Sequence, residues 1–128
     1  MKILVPISVG ELFDKISILE IKKTNIKDKE KLKDVIFELN ALKQITKKRK
    51  LNNKINKDQY TKLLNINKRL WNIEDKKRKY EKLKNFDKKF IDLARKVYLF
   101  NDKRAKIKNT INLNSGSKIK EVKSYEQY

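Results

Sequence analysis

The sequence predicts a mainly α-helical fold, a single domain built as a bundle of about four helices. Two glycines and one proline among 128 residues leave few sites for the tight turns that a β-rich fold needs. Charged residues make up 40% of the chain and hydrophobic residues 38%, so each element can bury only one stripe of its surface. This length provides one hydrophobic core. A bundle of amphipathic helices satisfies these conditions.

Both ends of the chain are predicted to be extended. Residues 2–7 read KILVPI, a short apolar run closed by Pro6, which is typical of a short strand. Residues 118–123 alternate between polar and apolar side chains. The pattern therefore allows the tail to pair with the N-terminal run.

Helix 1 is predicted over residues 9–24. Ser8 stands three residues before Glu11, the spacing of a capping box at a helix start. The apolar side chains fall on two opposite faces, Leu12, Ile16 and Leu19 on one and Ile18 and Ile21 on the other. A helix that is apolar on two faces is expected to be central in the bundle.

Three further helices follow, over residues 28–50, 57–85 and 88–113. Asp28 and Asp87 stand where helices 2 and 4 begin and are predicted N-caps. The sequence NSGS, at 114–117, is expected to stop helix 4. Helix 2 has a single apolar stripe and is predicted to be an outer helix.

Helices 1, 3 and 4 each direct polar side chains toward the core. These are Glu20 of helix 1, Asn67, Glu74 and Arg78 of helix 3, and Asn101, Arg104 and Lys108 of helix 4. An unpaired buried ion costs several kcal/mol, so the charges must be neutralised or hydrated. One interpretation is a network of salt bridges that fixes the packing register, or charges that project past the end of the bundle. The other is a polar pocket with surplus positive charge, suited to a phosphate or carboxylate.

Several chemistries are excluded by composition. The chain has no histidine and no cysteine, which removes nucleophilic triads of the Ser-His-Asp and Cys-His types and the common zinc sites. No Walker loop and no GxGxxG occurs. Glu74 with Asp75, or Glu11 with Asp14, could in principle hold magnesium, but no larger acidic cluster accompanies them. We therefore predict no metal and no cofactor.

The net charge of +19 indicates affinity for polyanions. Thirty of the 35 basic residues are lysine, a bias typical of an AT-rich genome, so part of the charge can be compositional. The runs KKRK at 47–50 and 76–79 suit contact with phosphates, and they also suit solvated helix ends. Nucleic acid is thus a possible partner through the basic surface. No apolar run is long enough to cross a membrane, and a cytoplasmic location without membrane insertion is expected.

Four blocks of the sequence resemble a family of small bacterial and phage proteins of unknown function. The blocks are SVGELFDKISILEIK, LWNIED, FIDLARKVYLFNDKRAKIK and KSY, within residues 3–42 and 66–125. The family pattern covers Glu11, Asp14, Lys15, Glu20, Lys22, Trp71, Glu74, Asp75, Arg95, Tyr98, Asn101, Asp102, Arg104, Lys123 and Tyr125. The resemblance also implies a link to glycan or nucleotide-sugar metabolism, because members are encoded near sugar-transfer and surface-polysaccharide genes.

The sequence as a whole predicts a binding or accessory module with a polar, net-basic site for an anionic ligand or a glycan-related partner. The candidate ligand-binding residues are Glu20, Glu74, Arg95, Tyr98, Asn101, Arg104 and Lys108. A small helical-bundle enzyme acting on an anionic substrate is the first alternative, since cations could stabilise developing negative charge there. A nucleic-acid-binding protein is the second.

Overall fold

The computed structural model of the protein describes residues 1–128 and confirms the predicted helical class. Its helices are α1 (Val9–Asn25), α2 (Lys29–Lys48), α3 (Lys57–Lys82) and α4 (Lys88–Ser115), with a 3₁₀ turn at Leu51–Asn53. No residue lies in a strand. None of the four helices combines the length and the apolar composition that crossing a membrane requires.

Side-chain caps set the start of each helix. Ser8, Asp28 and Asp87 accept hydrogen bonds from the backbone N–H groups of the first turns of α1, α2 and α4, and Asn56 does the same for α3. These caps satisfy donors that have no partner inside the helix. In α1 only half of the capping box forms, because the Glu11 carboxylate binds Lys108 instead of returning to the cap.

The end of α4 depends on Gly116. This residue has a φ of 71°, in the left-handed region that favours glycine. It lets the N–H of Ser117 return to the carbonyl oxygen of Asn112, 2.9 Å away, as in a Schellman motif. The chain then turns back along α4 as a C-terminal tail.

Helix α1 lies at the centre of the bundle and packs against α2, α3 and α4. Its buried side chains form a core with residues from all three neighbours: Leu12, Phe13, Ile16, Leu19, Val35, Leu39, Leu63, Ile66 and Ile111. Helices α3 and α4 follow each other through a short loop, at residues 83–87, and share an extensive interface. They therefore form an antiparallel pair.

The predicted short strand over 2–7, paired with 118–123, is wrong. Residues 1–7 are exposed and join no ladder. The tail lies against α4, where the Asn109 side-chain amide donates to the carbonyl oxygen of Glu121 (3.0 Å) and accepts from its N–H (2.9 Å). One side chain thus satisfies the backbone groups that a partner strand would use. Pro6 also lacks the N–H that a ladder requires.

Candidate functional site

A row of polar side chains runs between α1, α3 and α4, and we name it the polar seam. Its members are Glu11, Asp14 and Ser17 on α1, Asn67 on α3, and Arg104, Lys108 and Asn112 on α4. Five of the seven are no more than 5% exposed. The spacing is three residues on α1 and four on α4, so each set lies along one face of its helix. The two helices meet through these faces.

Asn67 connects the three helices. Its side-chain nitrogen donates to Oδ1 of Asp14 and to Oγ of Ser17, at 2.7 Å in each case. Its side-chain oxygen accepts from the guanidinium of Arg104 at 3.2 Å. Both N–H groups and the oxygen of this buried amide are therefore in use.

Lys108 is a buried cation surrounded by carboxylates. Its ammonium nitrogen lies 2.6 Å from Oε2 of Glu11, 3.1 Å from Oε2 of Glu121 and 3.7 Å from Oδ2 of Asp14. Burial lowers the pKa of the Lys108 ammonium, but the hydrogen bonds to Glu11 and Glu121 and the charge of Asp14 outweigh burial and hold the pKa above its ordinary value. Lys108 is therefore charged at neutral pH.

Gly10 allows α1 and α4 to approach closely beside Lys108. Its backbone N–H donates to Oδ1 of Asn112 at 2.6 Å. A Cβ atom at this position would lie only 2.5 Å from the carbonyl oxygen of Lys108. The close packing of α1 against α4 thus requires a glycine at position 10.

The polar seam is closed within itself. No buried side-chain nitrogen or oxygen lacks a hydrogen-bond partner. Lys108 is matched by acids from α1 and from the tail, and Arg104 uses the amide oxygen of Asn67. This geometry supports the interpretation of the inward-facing charges as a packing network, and it offers no surplus of positive charge to a ligand.

Only two of the seven predicted ligand-binding residues, Arg104 and Lys108, belong to the polar seam. Glu20 lies in a different cleft, beside Tyr60 and Trp71, and its carboxylate is 2.5 Å from the Lys43 ammonium of α2. Glu74 pairs with Lys77 of its own helix at 3.4 Å.

The other three predicted residues lie nearer the start of α4. Tyr98 is 44% exposed and packs edge-on against Tyr128 of the tail, with ring centroids 5.4 Å apart. Arg95 is exposed beside Tyr98, whose side chain raises the pKa of the guanidinium above its ordinary value. Asn101 is half-buried, and its side chain makes no hydrogen bond. The seven residues thus occupy several separate places.

A different feature concentrates unbalanced positive charge. Two open clefts, of about 620 and 790 Å³, lie along the interface of α3 and α4. One is lined by 76–83 and 89–96, the other by 62–69 and 100–107. Lining residues recur every seven positions on each helix, so both clefts lie on the same side of the helix pair. We name them together the basic groove.

Eight basic side chains and one acid, Asp92, line the basic groove. The basic residues are Lys62, Arg69, Lys76, Lys79, Lys89, Lys96, Lys103 and Lys106. Lys62 and Lys79 form exposed ion pairs with Asp58 and Asp75. The other six make no salt bridge with any residue of the chain.

The sequence contains a signal for this groove that the helical-wheel analysis missed. Basic residues recur at 62, 69 and 76, and again at 89, 96 and 103, an interval of seven residues in both helices. Seven residues are two helical turns, so each set forms one row. The KKRK run at 76–79 contributes Lys76 and Lys79 to the groove, whereas the run at 47–50 lies at the C-terminal end of α2, outside the groove. Two further residues of the seam, Ser17 and Asn112, and Glu121 of the tail were not predicted either. A single polar residue that belongs to no motif cannot be distinguished in the sequence from a residue of the solvated surface.

No group of three or more acidic side chains is arranged to hold a metal ion. Acids in the seam already surround the Lys108 ammonium, which occupies the place a cation would take.

Comparison with known proteins supports the resemblance read from the sequence blocks. A family model matches residues 1–128, and it is described as a family of unknown function. No curated protein and no solved structure matches the chain.

Proposed function

Because the chain belongs to the DUF6165 family, a family of unknown function, we propose its function from its own surface: it is a binding module that holds an extended anionic ligand in the basic groove. The observation that carries this proposal is the ratio of eight basic side chains to one acid along the groove, with six of the eight free of any salt bridge.

The groove has eight basic side chains for one acid, a higher ratio than the 35 to 16 of the whole chain. Outside the groove, as at Glu74 with Lys77 and Glu81 with Lys84, acids lie within reach of bases. Cations on the two sides of a groove add their fields over separations up to the screening length, which is about 10 Å at 0.1 M salt. An anionic polymer that enters releases its counterions and gains affinity from each contact.

The shape of the groove favours an extended ligand over a compact one. The lined part of α3 and its C-cap, residues 62–83, is about 30 Å long at 1.5 Å per residue. Both clefts are open along this length. A single phosphate would contact a small part of such a surface, whereas a polymer would contact all of it. The polar seam assists, because it fixes α3 and α4 against α1.

An enzyme is the less favoured candidate. The groove contains one acid, Asp92, and no buried group with a shifted pKa that could transfer a proton. The link to glycan or nucleotide-sugar metabolism stays a prediction from the family resemblance. An anionic polysaccharide would agree with the groove and with that link.

Fluorescence anisotropy with a labelled inorganic polyphosphate tests the proposal. We expect binding whose log K falls linearly with log salt concentration. Lys96→Glu with Lys103→Glu reverses two exposed charges in the groove and should weaken binding by about 10-fold or more at low salt, with a shallower salt slope.

The matched control changes the same amount of charge on another face. Lys31→Glu with Lys33→Glu alters two exposed lysines of α2 that make no salt bridge. This variant should weaken binding only slightly. Equal weakening by the two variants would assign the binding to the overall charge of the chain and would refute the groove as the site.

A further inference from the structure

The basic groove is lined by apolar side chains as well as by cations. We name its apolar residues the floor, Ile66, Phe100 and Ile107 in one cleft and Tyr80, Leu83 and Leu93 in the other, and we name its basic residues the rims. Leu83 is 74% exposed, and no other part of the chain covers it. The groove thus offers rows of cations with apolar side chains between them.

Two cations of the rims lie over the ring of Phe100. The guanidinium carbon of Arg69 is 5.4 Å from the ring centroid, and the ammonium of Lys103 is 5.3 Å from it. Cations at this distance are attracted to the face of an aromatic ring. They are thereby held beside the floor, where they can reach a phosphate whose base lies on the apolar surface.

This combination selects among polyanions. A polyphosphate or a sulfated polysaccharide satisfies the rims but has no flat apolar group for the floor. A nucleic acid duplex has such groups, but its bases are stacked on each other inside the helix. The groove also follows the junction of two packed helices, whose axes are typically about 8–10 Å apart. A single strand presents phosphates and unpaired bases together, as proteins that bind single strands require.

On the basis of the function proposed above, we propose that the ligand of the basic groove is a single-stranded nucleic acid, with phosphates on the lysine rims and bases against Phe100 and Tyr80. Base contacts of this kind depend on the flat face that every base has, so binding is expected to show little sequence preference.

The test compares three labelled probes at equal salt: an oligothymidylate of about 15 nucleotides, a duplex of the same length, and a polyphosphate of similar charge. We expect the oligothymidylate to bind about 10-fold or more tightly than the other two. Phe100→Leu with Tyr80→Leu keeps the floor apolar but removes its rings. This variant should lose about 10-fold in affinity for the oligothymidylate and keep its affinity for polyphosphate.

Tyr98→Leu is the matched control, because it removes an aromatic side chain of α4 that lies outside the groove. It should leave all three affinities unchanged. If the three probes bind with similar affinity and the ring variant binds like the unaltered protein, the ligand is a general polyanion: the inference is then overturned, and the proposed function stands. If none of the probes binds, both are refuted.

Discussion

Lys108 is a charged residue that α4 contributes to the interior, and its neutralisation depends on distant parts of the chain. Glu11 and Asp14 come from the first helix and Glu121 from the last residues. A buried ion pair adds little net stability compared with apolar packing, yet removal of one partner is costly. Lys108 therefore acts mainly by favouring one packing arrangement of the helices, and its ion pairs add little net stability.

Lys108→Ala should destabilise the protein by about 3–5 kcal/mol, because it leaves Asp14 and its neighbours as partly buried acids without their cation. Chemical denaturation followed by circular dichroism measures the loss. Lys106→Ala provides the control, since Lys106 is exposed and makes no salt bridge, and it should change stability by less than about 0.5 kcal/mol. Similar small losses in both variants would contradict the role assigned to Lys108.

Tyr60 makes the stability of the fold change with pH in the alkaline range. Burial, with a smaller effect from the Glu20 carboxylate, raises the pKa of its hydroxyl to about 12. The folded state therefore binds the phenol proton more strongly than the unfolded state, whose pKa is about 10. This stabilisation is fully present below pH 10 and is lost as the pH rises through about 12.

Tyr60→Phe removes that contribution. Denaturant unfolding at several pH values, from about 8, where the phenol is protonated in both states, to about 11.5, where the unfolded state has lost its proton, should show a smaller loss of stability in this variant than in the unaltered protein. Tyr125→Phe alters an exposed tyrosine and should leave the pH dependence as it was. An unchanged pH dependence in Tyr60→Phe would show that Tyr60 is not the group responsible.

At the scale of the helices, the contact between α1 and α4 depends on the absence of a side chain at Gly10. In an exposed helix, Gly→Ala stabilises by about 1 kcal/mol. Here the added methyl group would overlap backbone atoms of α4, which cannot move as a flexible side chain can. Gly10→Ala should therefore destabilise by about 1–3 kcal/mol, as overpacked positions do. Thermal denaturation gives the sign of the change in stability. A variant that is more stable than the unaltered protein would refute the close contact.

The helices themselves were predictable, because caps and periodicity are local properties of the chain. Ser8, Asp28 and Asp87 cap the helices as predicted. The phase of α3 is less predictable. Helical periodicity aligns Tyr60, Leu64, Leu70 and Trp71 in one stripe. Leu70 is buried as this stripe predicts, but the other three are only partly buried, and Leu63, Ile66 and Ile73 complete the core. A helix with apolar residues on adjacent faces permits both phases, and contact with α1 selects one.

The candidate site could be predicted only in part, since it depends on which faces meet. Helical periodicity predicts that Asn67, Arg104 and Lys108 face inward, and the structure brings them together in the polar seam. The neutralisation of Lys108 was not predictable, because it depends on Glu121 of the tail. The position of a tail cannot be derived from helical periodicity. With the seam neutral, the excess charge lies on the exposed surface, and part of it lines the basic groove between α3 and α4.

At the scale of the whole molecule, a net charge of +19 must oppose folding, because compaction brings like charges together. Salt screens this repulsion over distances beyond about 10 Å, whereas the buried pairs of Lys108 are screened much less. We therefore expect the melting temperature to rise by several degrees when NaCl increases from about 20 to about 500 mM.

Charge reversal provides the test of this cause. Lys96→Glu with Lys103→Glu and Lys31→Glu with Lys33→Glu reduce the net charge equally, one in the basic groove and one on α2. If repulsion over the whole surface dominates, both variants should melt at higher temperature than the unaltered protein at low salt and should gain less from added salt. Because six cations of the groove lie together without partners, the groove variant should gain the more of the two. A melting temperature that falls as NaCl is added would instead show that surface ion pairs outweigh the repulsion.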